Sequence, residues 1–330
     1  MTKVSVIIVN FNGANYIGSC LQSLRCNAGD FEIIVVDNAS QDSSQAIIRS
    51  EMALDERIVF VGLPTNRGFT GGNIEGLRYA RGDYVCLLNP DTEVACDWLV
   101  NLTKVMDDNP QVGICASKLL VYGTGLVDSA GDGCTVTGKG FKIGEGEDQS
   151  RFSVPAPVFG ACGGAMLIRR TVIDQIGFLD DDFFLIHEDT DFNFRAHLAG
   201  WQCLYVPEAV VQHKVRSSIG AMSNTAVYYS VRNAKYVLLK NMPAKLLWKY
   251  MPLHLVQEAA SFYYFAIRHG KWRDYFKANY DFICRIPRLL EKRREVIALK
   301  TIDDITLESL LTPLFDRTML RKKIVKLLRG

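Results

Sequence analysis

The first hundred residues alternate short apolar runs with segments in which apolar residues recur at helical spacing. The apolar runs predict strands over 4–9, 32–36, 58–61 and 84–88. The intervening segments predict helices over 15–25, 42–51 and 72–80. Continuous apolar strands that alternate with helices indicate a mostly parallel central sheet with helices on both faces.

Polar residues stand where each of these strands ends. They occupy residues 10–13, 37–40, 66–68 and 89–93. Open α/β sheets bind their ligands outside the carboxyl ends of the strands. The coincidence predicts a ligand site at that edge of the sheet.

Beyond residue 119 the pattern changes twice. Residues 119–157 are rich in Gly, Thr and Asp and predict a hairpin or a flexible connection near a substrate, and apolar character returns over 165–168. After residue 215, apolar spacing predicts long helices over 227–240, 246–268 and 272–292. We therefore predict an α/β domain over 1–220 and a basic helical region over 221–330.

Composition narrows the class of protein. The 330 residues are 48% hydrophobic, which excludes a disordered chain and a small disulfide scaffold. The net charge of +2 hides an asymmetry: residues 1–215 carry 16 basic and 27 acidic side chains, whereas residues 216–330 carry 22 and 9. A basic C-terminal region predicts an anionic partner, either lipid headgroups or nucleic acid.

The nine cysteines form no CxxC pair, and the N-terminus does not resemble a signal peptide. Both observations predict a reducing cytoplasm and buried free thiols. An uncharged apolar run of about 18 residues does not occur, so we expect no membrane-spanning helix.

A carboxylate follows the fourth predicted strand directly. Pro90 disfavours helical geometry at Asn89, so Asp91 projects from the sheet edge. Oxygen ligands at such a point suit Mg²⁺ or Mn²⁺ that also holds a diphosphate. The alternative is an ordinary turn in which Asp91 or Thr92 caps a helix through Trp98.

Asp37 ends the second strand in the same way, and its carboxylate could accept hydrogen bonds from a nucleobase or a ribose. The alternative is an Asx turn made by Asp37 or Asn38. The glycine-rich turn over 66–73 opens a helix, which exposes N–H groups to an anion, and Arg67 adds a fork suited to a diphosphate. The turn is not GxGxxG, which argues against a dinucleotide site.

A second acidic cluster, Glu188 and Asp189, follows an aromatic run. Burial just before these carboxylates could raise a pKa and make one of them a general base. The alternative is an acidic first turn of a helix, which the macrodipole favours. His213 ends a later apolar run and is either structural or, if it lies opposite Asp91, a metal ligand.

Taken in order, the segments VSVIIVNFNG, VVDNAS, NRGFTGGN, LLNPDTE, GGAMLIRR, FFLIHEDTDFNFR and VVQHK resemble the family 2 glycosyltransferases, and most closely their rhamnosyltransferase-like branch. The likeness spans residues 4–215. It implies a GT-A (nucleotide-diphospho-sugar transferase) fold. It also implies an inverting reaction in which an acceptor hydroxyl displaces a nucleoside diphosphate from the anomeric carbon of a sugar.

On the donor side, the resemblance implies that Asp37 contacts the base or ribose, with Asn10 and Asn12 nearby in the first loop. The residues that would flank the nucleotide and its phosphates are Asn66, Arg67 and Gly68.

The resemblance also implies the metal and the base. Asp91 corresponds to the last residue of the DxD metal motif, with Asn89 where many members carry the first aspartate. His213 matches a histidine that ligates the metal or the diphosphate in several relatives. Asp189 corresponds to the catalytic base, with Glu188 as its rival, and Asp191 is expected to point away along the following helix.

These inferences predict transfer of a sugar, L-rhamnose from dTDP-rhamnose or a hexose from a UDP-hexose, to a glycan or lipid-linked acceptor in bacterial surface polysaccharide synthesis. We considered two other classes: a nucleotidyltransferase, and a non-catalytic protein that binds nucleotide sugars or nucleic acid. The chain lacks the basic glycine-rich first loop of the former and any nucleic-acid-binding signature.

Basic and aromatic residues alternate over 268–294. This composition predicts a helix at the inner face of the cell membrane, on an anionic leaflet. The alternatives are packing of the aromatic residues on the catalytic domain and a homo-oligomer interface.

Overall fold

A computed structural model describes residues 3–214 and 222–314 and places a ten-stranded sheet at the centre of the molecule. The strands are β1 (Val4–Asn10), β2 (Phe31–Asp37), β3 (Ile58–Gly62), β4 (Tyr84–Leu88), β5 (Thr92–Val94), β6 (Val112–Val121), β7 (Val127–Ser129), β8 (Asp132–Cys134), β9 (Gly140–Lys142), β10 (Ala156–Val158), β11 (Ala165–Arg169) and β12 (Gln202–His213). The sheet order is β10-β12-β6-β11-β4-β1-β2-β3, with β5 added to β12 and β7 to β6, whereas β8 and β9 form a separate ribbon.

Helices cover both faces of the sheet and continue beyond it. They are α1 (Ile17–Leu24), α2 (Ser44–Met52), α3 (Gly68–Leu77), α4 (Trp98–Asp108), α5 (Arg170–Ile176), α6 (Glu188–Leu198), α7 (Asn224–Asn241), α8 (Ala244–Phe262), α9 (Trp272–Ala298) and α10 (Asp304–Leu310). A π-helical turn, Tyr263–Arg268, extends α8.

Alternate residues of the strands face two separate cores. Val6 and Ile8 pack with α1, α2 and α4 on one face, whereas Ile7 packs with α3, α5 and α6 on the other. Strands β1 to β4 are parallel to one another, and β1 and β2 end in register at Asn10 and Asp37. The predicted strands and the covered, mostly parallel arrangement are therefore confirmed.

Two local predictions are wrong. Helix α3 begins at Gly68 and not at residue 72, because the glycine-rich turn is itself the first turn of the helix. The alternative in which Asp91 or Thr92 caps the helix through Trp98 is wrong: Thr92–Val94 pairs antiparallel with β12, and α4 begins later, at Trp98. The partner strand β12 is far from β5 in the sequence, so local propensity could not indicate that the two strands pair.

The segment over 119–157 is structured. After the end of β6 the chain turns back as β7, which pairs antiparallel with β6, and then forms the β8–β9 ribbon. The expectation of a flexible connection is wrong, whereas that of a hairpin is confirmed. The segment lies close to the candidate site because β6 pairs with β12 up to His213.

The prediction that all cysteines are buried free thiols is also wrong. Cys26, just after α1, is disulfide-bonded to Cys96, just before α4. These helices meet because Asn27 accepts a hydrogen bond from the N–H of Leu99 at 3.0 Å. The other seven cysteines are free, and one of them, Cys284, is exposed.

The C-terminal helices occur where the spacing predicts them. Helix α7 packs against both α6 and α9. The predicted boundary near residue 220 lies outside the described residues. Among the helices in residues 3–214 and 222–314, none combines the length and apolarity that crossing a bilayer requires.

Candidate active site

The carboxyl ends of β1 and β2 are joined by side-chain hydrogen bonds. Asn10 Nδ2 donates to Asp37 Oδ1 at 2.9 Å, and both residues are buried. Asp37 Oδ2 accepts from the backbone N–H of Ser40 at 3.0 Å and from Gln45 Nε2 at 2.8 Å. Asp37 therefore organises its own turn, in addition to the nucleotide contact that the resemblance implies.

Asn38 connects this turn to the glycine-rich one. Its Oδ1 accepts from the N–H of Arg67 at 2.8 Å, and its Nδ2 donates to the carbonyl of Gly68 at 2.9 Å. Asn66 Oδ1 in turn accepts from the N–H of Gly68 at 2.8 Å. Sequence reasoning considered Asn38 only as an Asx-turn residue and missed its bridging role.

Gly68 has a structural reason to be glycine. Its φ of +71° is left-handed, and a Cβ there would collide with the carbonyl oxygen of Phe184. The same oxygen accepts a hydrogen bond from the N–H of Thr70 at 3.0 Å. The turn that carries Gly68 is thus held against the segment that precedes Glu188.

Arg67 and Asn12 lie at the rim of this loop cluster. The Arg67 guanidinium lies 3.2 Å from Glu75 and is partly exposed, so it is accessible to an anion. Asn12 has a left-handed φ of +51°, and its Oδ1 accepts from the N–H of Gln41 at 2.8 Å. Both residues thus border the turns that Asn10 and Asp37 organise.

His213 lies opposite Asp91. The β5–β12 register aligns His213 with Thr92, and His213 Nε2 is 3.4 Å from Asp91 Oδ1. On the other side of the ring, Nδ1 is 2.9 Å from Asp128 Oδ2, and Lys142 Nζ is 2.7 Å from both oxygens of Asp128. Burial lowers the pKa of His213, but hydrogen bonds to Asp128 and Asp91 outweigh it and raise the pKa to about 9.

Sequence reasoning missed Asp128 and Lys142. Burial raises the pKa of Asp128, but its hydrogen bond with His213 and the positive charge of Lys142 reverse this and hold the pKa below its usual value. The only signal was that both residues lie in the Gly-, Thr- and Asp-rich segment that we expected near a substrate.

The two adjacent carboxylates at the start of α6 have different surroundings. Asp189 is half-buried and accepts from the N–H groups of Gly163 at 3.1 Å and Thr190 at 2.7 Å. Glu188 is buried, and its Oε2 has no hydrogen-bond partner among the described residues. Burial, reinforced by the charge of Asp189, raises the pKa of Glu188 well above its usual value.

A third carboxylate, Asp132, lies beside Asp189 and was not foreseen. Ligand atoms of Asp132, Cys162 and Asp189 lie within 4.8 Å of one another. Burial of the Asp132 carboxyl and the charge of Asp189 raise its pKa to about 7. Ser129 Oγ donates to Asp132 at 2.9 Å.

The segment before α6 has an unusual backbone. Phe184, Ile186 and His187 all have φ values between +65° and +71°, which costs of the order of 1 kcal/mol or more at each non-glycine residue. Asn233 of α7 stabilises this conformation. Its Nδ2 donates to the carbonyls of Phe183, Leu185 and Ile186 at 2.7 to 3.0 Å.

Asp191 points away from the other two acids of α6, as predicted. It is buried, and Arg195 Nε donates to its Oδ2 at 2.9 Å. On its other oxygen it meets Lys240 at 2.7 Å and Asn241 at 2.9 Å, both from α7. These contacts make Asp191 part of the α6–α7 interface.

A chain of contacts joins the three loop tips at Asp37, Asp91 and Asp189. Asn38, next to Asp37, holds the glycine-rich turn, which contacts the segment leading to Asp189. Asp189 accepts from Gly163, and the next residue, Gly164, accepts from the N–H of Asn89 at 2.9 Å. The fold thus gathers the predicted donor, metal and base residues along one edge of the sheet.

Comparison with known proteins identifies the family of the chain. Residues 5–177 match the model of the family described as glycosyl transferase family 2, which is more than half of the 330 residues. The chain belongs to glycosyl transferase family 2. The predicted family is therefore confirmed, whereas its rhamnosyltransferase-like branch is not.

Two relatives illustrate the family's range. The chain is 29% identical over 206 residues to the low-salt glycan biosynthesis hexosyltransferase Agl10 of Haloferax volcanii, covering 59% of this chain and 62% of the relative. It is 28% identical over 234 residues to an N-acetylglucosaminyltransferase of Mesorhizobium japonicum, covering 66% and 53%. The match to a further relative covers 25% of that protein's length. The chain therefore spans between a quarter and about six-tenths of the length of these three curated relatives.

Solved structures share the fold. S. aureus TarS 1-349 in complex with UDP-GlcNAc superposes with a TM-score of 0.58 at 18% identity, covering 93% of this chain and 91% of that one. The mannosyltransferase PcManGT from Pyrobaculum calidifontis, in complex with GDP-Man and Mn²⁺, gives 0.54 at 18% identity, covering 90% and 85%. At such identities the likeness concerns the fold alone, and it confirms the predicted GT-A fold of this family 2 chain.

Proposed function

We propose that the protein is an inverting glycosyltransferase that moves a sugar from a nucleoside-diphosphate donor to the hydroxyl of a glycan or lipid-linked acceptor. The observation that carries the proposal is the placement of two sites on one sheet edge. Asp91 with His213 lies at the ends of β4 and β12, and Asp189 lies at the start of α6. A single displacement needs a base on the acceptor side and charge neutralisation on the leaving-group side.

In this reaction the acceptor oxygen forms a bond to the anomeric carbon while its O–H bond breaks. The proton passes to Asp189, and the bond from the anomeric carbon to the diphosphate oxygen breaks, so that the nucleoside diphosphate leaves with the electron pair. General-base assistance of this kind contributes about 10²–10⁴ in rate.

Asp189 suits the role of base better than Glu188. Two backbone N–H groups donate to the Asp189 carboxylate and fix its orientation, and the residue is half-buried. Glu188 is buried, and burial with the nearby charge of Asp189 raises its pKa well above the usual value, so the ionised form that a base requires is disfavoured there. We assign Glu188 a supporting role beside the base.

The residues around His213 fit a divalent cation that displaces the proton from Nε2, because a ligating imidazole must be neutral. A carboxylate and an imidazole nitrogen face each other at Asp91 and His213, and both ligand types suit Mn²⁺ or Mg²⁺ sites. Asp128 holds the far nitrogen of the ring, which is how protein carboxylates commonly orient a metal-binding histidine. When bound, the cation would neutralise charge on the departing diphosphate. Asp91 and His213 would hold it.

On the donor side we propose that Asp37, with Asn10 and Asn12 nearby, recognises the base or ribose. The diphosphate would be flanked by Asn66, Arg67, Gly68 and Asn89. The partly exposed Arg67 guanidinium supports this proposal, because it can form paired hydrogen bonds to phosphate oxygens.

For the donor sugar we propose a hexose, with dTDP-L-rhamnose and UDP-hexoses as the donors to compare first. Relatives named hexosyltransferase and N-acetylglucosaminyltransferase favour including UDP-GlcNAc in the same comparison. The setting we propose is bacterial surface polysaccharide synthesis on the cytoplasmic side of the membrane.

The test is a calorimetric titration with dTDP-L-rhamnose, UDP-glucose, UDP-GlcNAc and GDP-mannose, each with Mn²⁺, Mg²⁺ or EDTA. We expect one donor to bind in the micromolar to millimolar range and to be hydrolysed slowly or transferred to a glycan acceptor. Binding with no turnover under any condition would favour a non-catalytic nucleotide-sugar-binding protein. The absence of binding by all four donors would contradict the proposed donor class.

A further inference from the structure

One face of the C-terminal helices is apolar and exposed. On α8 and its π-helical turn the exposed residues recur at helical spacing, and Trp248 and Tyr263 are 74% and 62% exposed. The same holds on α9, where Tyr280 is 68% exposed. We call this surface the aromatic face. Its members are Trp248, Leu255, Tyr263, Ile267, Trp272, Phe276, Tyr280 and Ile283.

The two helices contribute to a single surface. The rings of Phe262 on α8 and Phe276 on α9 lie 6.0 Å apart, and Phe262 also packs on Tyr275 at 5.5 Å. The opposite side of α9 packs on α7, where Tyr228 donates to Asp281 at 2.5 Å. One side of the helical hairpin is therefore buried in the protein, and the aromatic face is turned away from it.

Positive charge lies at one end of the aromatic face. Three basic residues lie where α8 and its π-helical turn lead into α9: Arg268 ends the π-helical turn, Lys271 precedes α9 and Arg273 is in its first turn. Residues 259–273 contain no acidic side chain. Arg268 and Arg273 are exposed, and the Arg273 guanidinium lies over the ring of Trp272 at 5.1 Å. We call these three residues the basic turn.

Four of the other basic residues of α9 make contacts within the protein, whereas Lys277 and Arg294 are exposed. Arg285 and Arg288 pair with Asp182 at 2.9 and 2.8 Å, and Lys292 pairs with Asp180 at 2.5 Å. Arg293 donates to the carbonyl of Leu239. The basic turn, by contrast, carries exposed charge directly beside the aromatic face.

We infer that the aromatic face and the basic turn dock in the plane of an anionic lipid bilayer. Exposed Trp and Tyr side chains with adjacent Lys and Arg are the composition that binds the headgroup region. The eight members of the aromatic face include no acidic side chain, so a second copy of the chain on this face would not neutralise the basic turn. Anionic headgroups would neutralise it, at about a fivefold gain in binding for each well-placed cation.

The docking surface is physically connected to the candidate active site. Helix α7 contacts α9 on one side, and on the other its Tyr229 stacks on Phe184 with ring centroids 5.2 Å apart. Phe184 belongs to the segment that leads to Asp189. Docking would thus hold the candidate base at a fixed position relative to the lipid, which suits a lipid-linked acceptor. The docking itself does not depend on the proposed reaction.

The experiment is flotation of the full chain with vesicles of phosphatidylcholine alone or with about one-third phosphatidylglycerol, in the absence of donor. We expect binding to the anionic vesicles only, weakened at high salt because the Debye length falls from about 8 Å at 0.15 M to about 3 Å at 1 M. Emission of the exposed Trp248 and Trp272 should shift to the blue on binding.

Two variants separate the contributions. Arg268→Glu with Arg273→Glu should reduce binding by at least about tenfold. Ile267→Asp should abolish the blue shift. The matched controls are Lys104→Glu on α4 and Val154→Asp, which change an exposed cation and an exposed apolar residue elsewhere. Unchanged melting temperatures and donor binding would show that all variants are folded.

Equal binding by the variants and the wild type would overturn the inference, as would an equal loss in the controls. If vesicles do not bind but light scattering shows a dimer that Ile267→Asp dissociates, the aromatic face is an oligomer interface and the membrane inference is wrong. Donor titration of the same samples reports on the proposed function separately.

Discussion

The two ends of the candidate site, the proposed donor end and the proposed acceptor end, differ in how their buried carboxyl groups are hydrogen-bonded. At the donor end, the buried Asp37 carboxylate accepts three hydrogen bonds, from Asn10, Ser40 and Gln45. At the acceptor end, Glu188 Oε2 is buried without a hydrogen-bond partner among residues 3–214 and 222–314, and Asp132 has a strongly raised pKa.

This difference separates binding from chemistry in physical terms. A carboxylate that accepts three hydrogen bonds, as Asp37 does, is held in place before the ligand arrives. Uncompensated carboxyl groups and a left-handed backbone destabilise the fold, and such features cluster at sites that perform proton transfer. We therefore expect changes at the donor end to act on stability and affinity, and changes at the acceptor end to act on turnover.

The largest expected effect is that of Asp189→Asn. It removes the proposed base and should lower kcat by about 10²–10⁴, while the donor Kd changes less than about threefold. The measurement is steady-state kinetics with calorimetric donor titration. Asp108→Asn, an exposed change on α4, is the control. Retention of full turnover by Asp189→Asn would remove the base assignment and with it the proposed contrast between the two ends.

The next effect concerns the orientation of His213. Asp128→Asn weakens the partner of His213 Nδ1 and should lower Mn²⁺ affinity by about 10–100-fold, the usual cost of losing such a partner. Paramagnetic resonance of free Mn²⁺ measures this without turnover. His213→Ala gives the reference loss, and the exposed Asp174→Asn gives the control. Wild-type affinity in Asp128→Asn would show that Asp128 does not orient the ring.

A smaller effect tests the donor end. Asp37→Asn replaces one carboxylate oxygen, which accepts a hydrogen bond, by an NH₂ group that would face another donor. The substitution should therefore lower the free energy of unfolding by about 1–3 kcal/mol. Denaturant titration measures it. Asp97→Asn, an exposed aspartate whose side chain caps nothing, is the control. Unchanged stability together with lost donor binding would mean that Asp37 acts on the nucleotide alone.

The smallest effect is a pH dependence. The folded protein keeps the Asp132 proton between the ordinary pKa of 3.8 and about 7, whereas the unfolded chain releases it, so the stability that this group contributes falls as pH rises through that window. Asp132→Asn should therefore be more stable than wild type at pH 8, by about 1 kcal/mol or more, and similar at pH 4. The groups that face this carboxyl are Asp189, Asp128, Lys142 and Cys162.

Thermal unfolding of both proteins between pH 4 and pH 8 measures this difference. A stability difference that stays constant across the range would mean that the Asp132 carboxyl does not titrate there. The two ends of the site would then differ less than we infer.

Much of the donor half could be predicted because its signals are local. Strand β4 was predicted at its observed bounds, and β1 and β2 to within one residue at each end, because buried parallel strands are continuous apolar runs. The disulfide between Cys26 and Cys96 could not, because the two cysteines are 70 residues apart and only the packing of α1 near β5 and α4 brings them together.

The pattern of residues by itself determined the alternation of strands and helices, the edge at which polar groups gather, and the asymmetry of charge between the two parts of the chain. Only the tertiary structure decided that His213 lies against both Asp91 and Asp128, that the neighbouring Glu188 and Asp189 differ in burial, and that Arg285, Arg288 and Lys292 of α9 pair with Asp180 and Asp182. The reason is that apolar periodicity is a short-range property, whereas burial and charge pairing depend on which distant elements pack together.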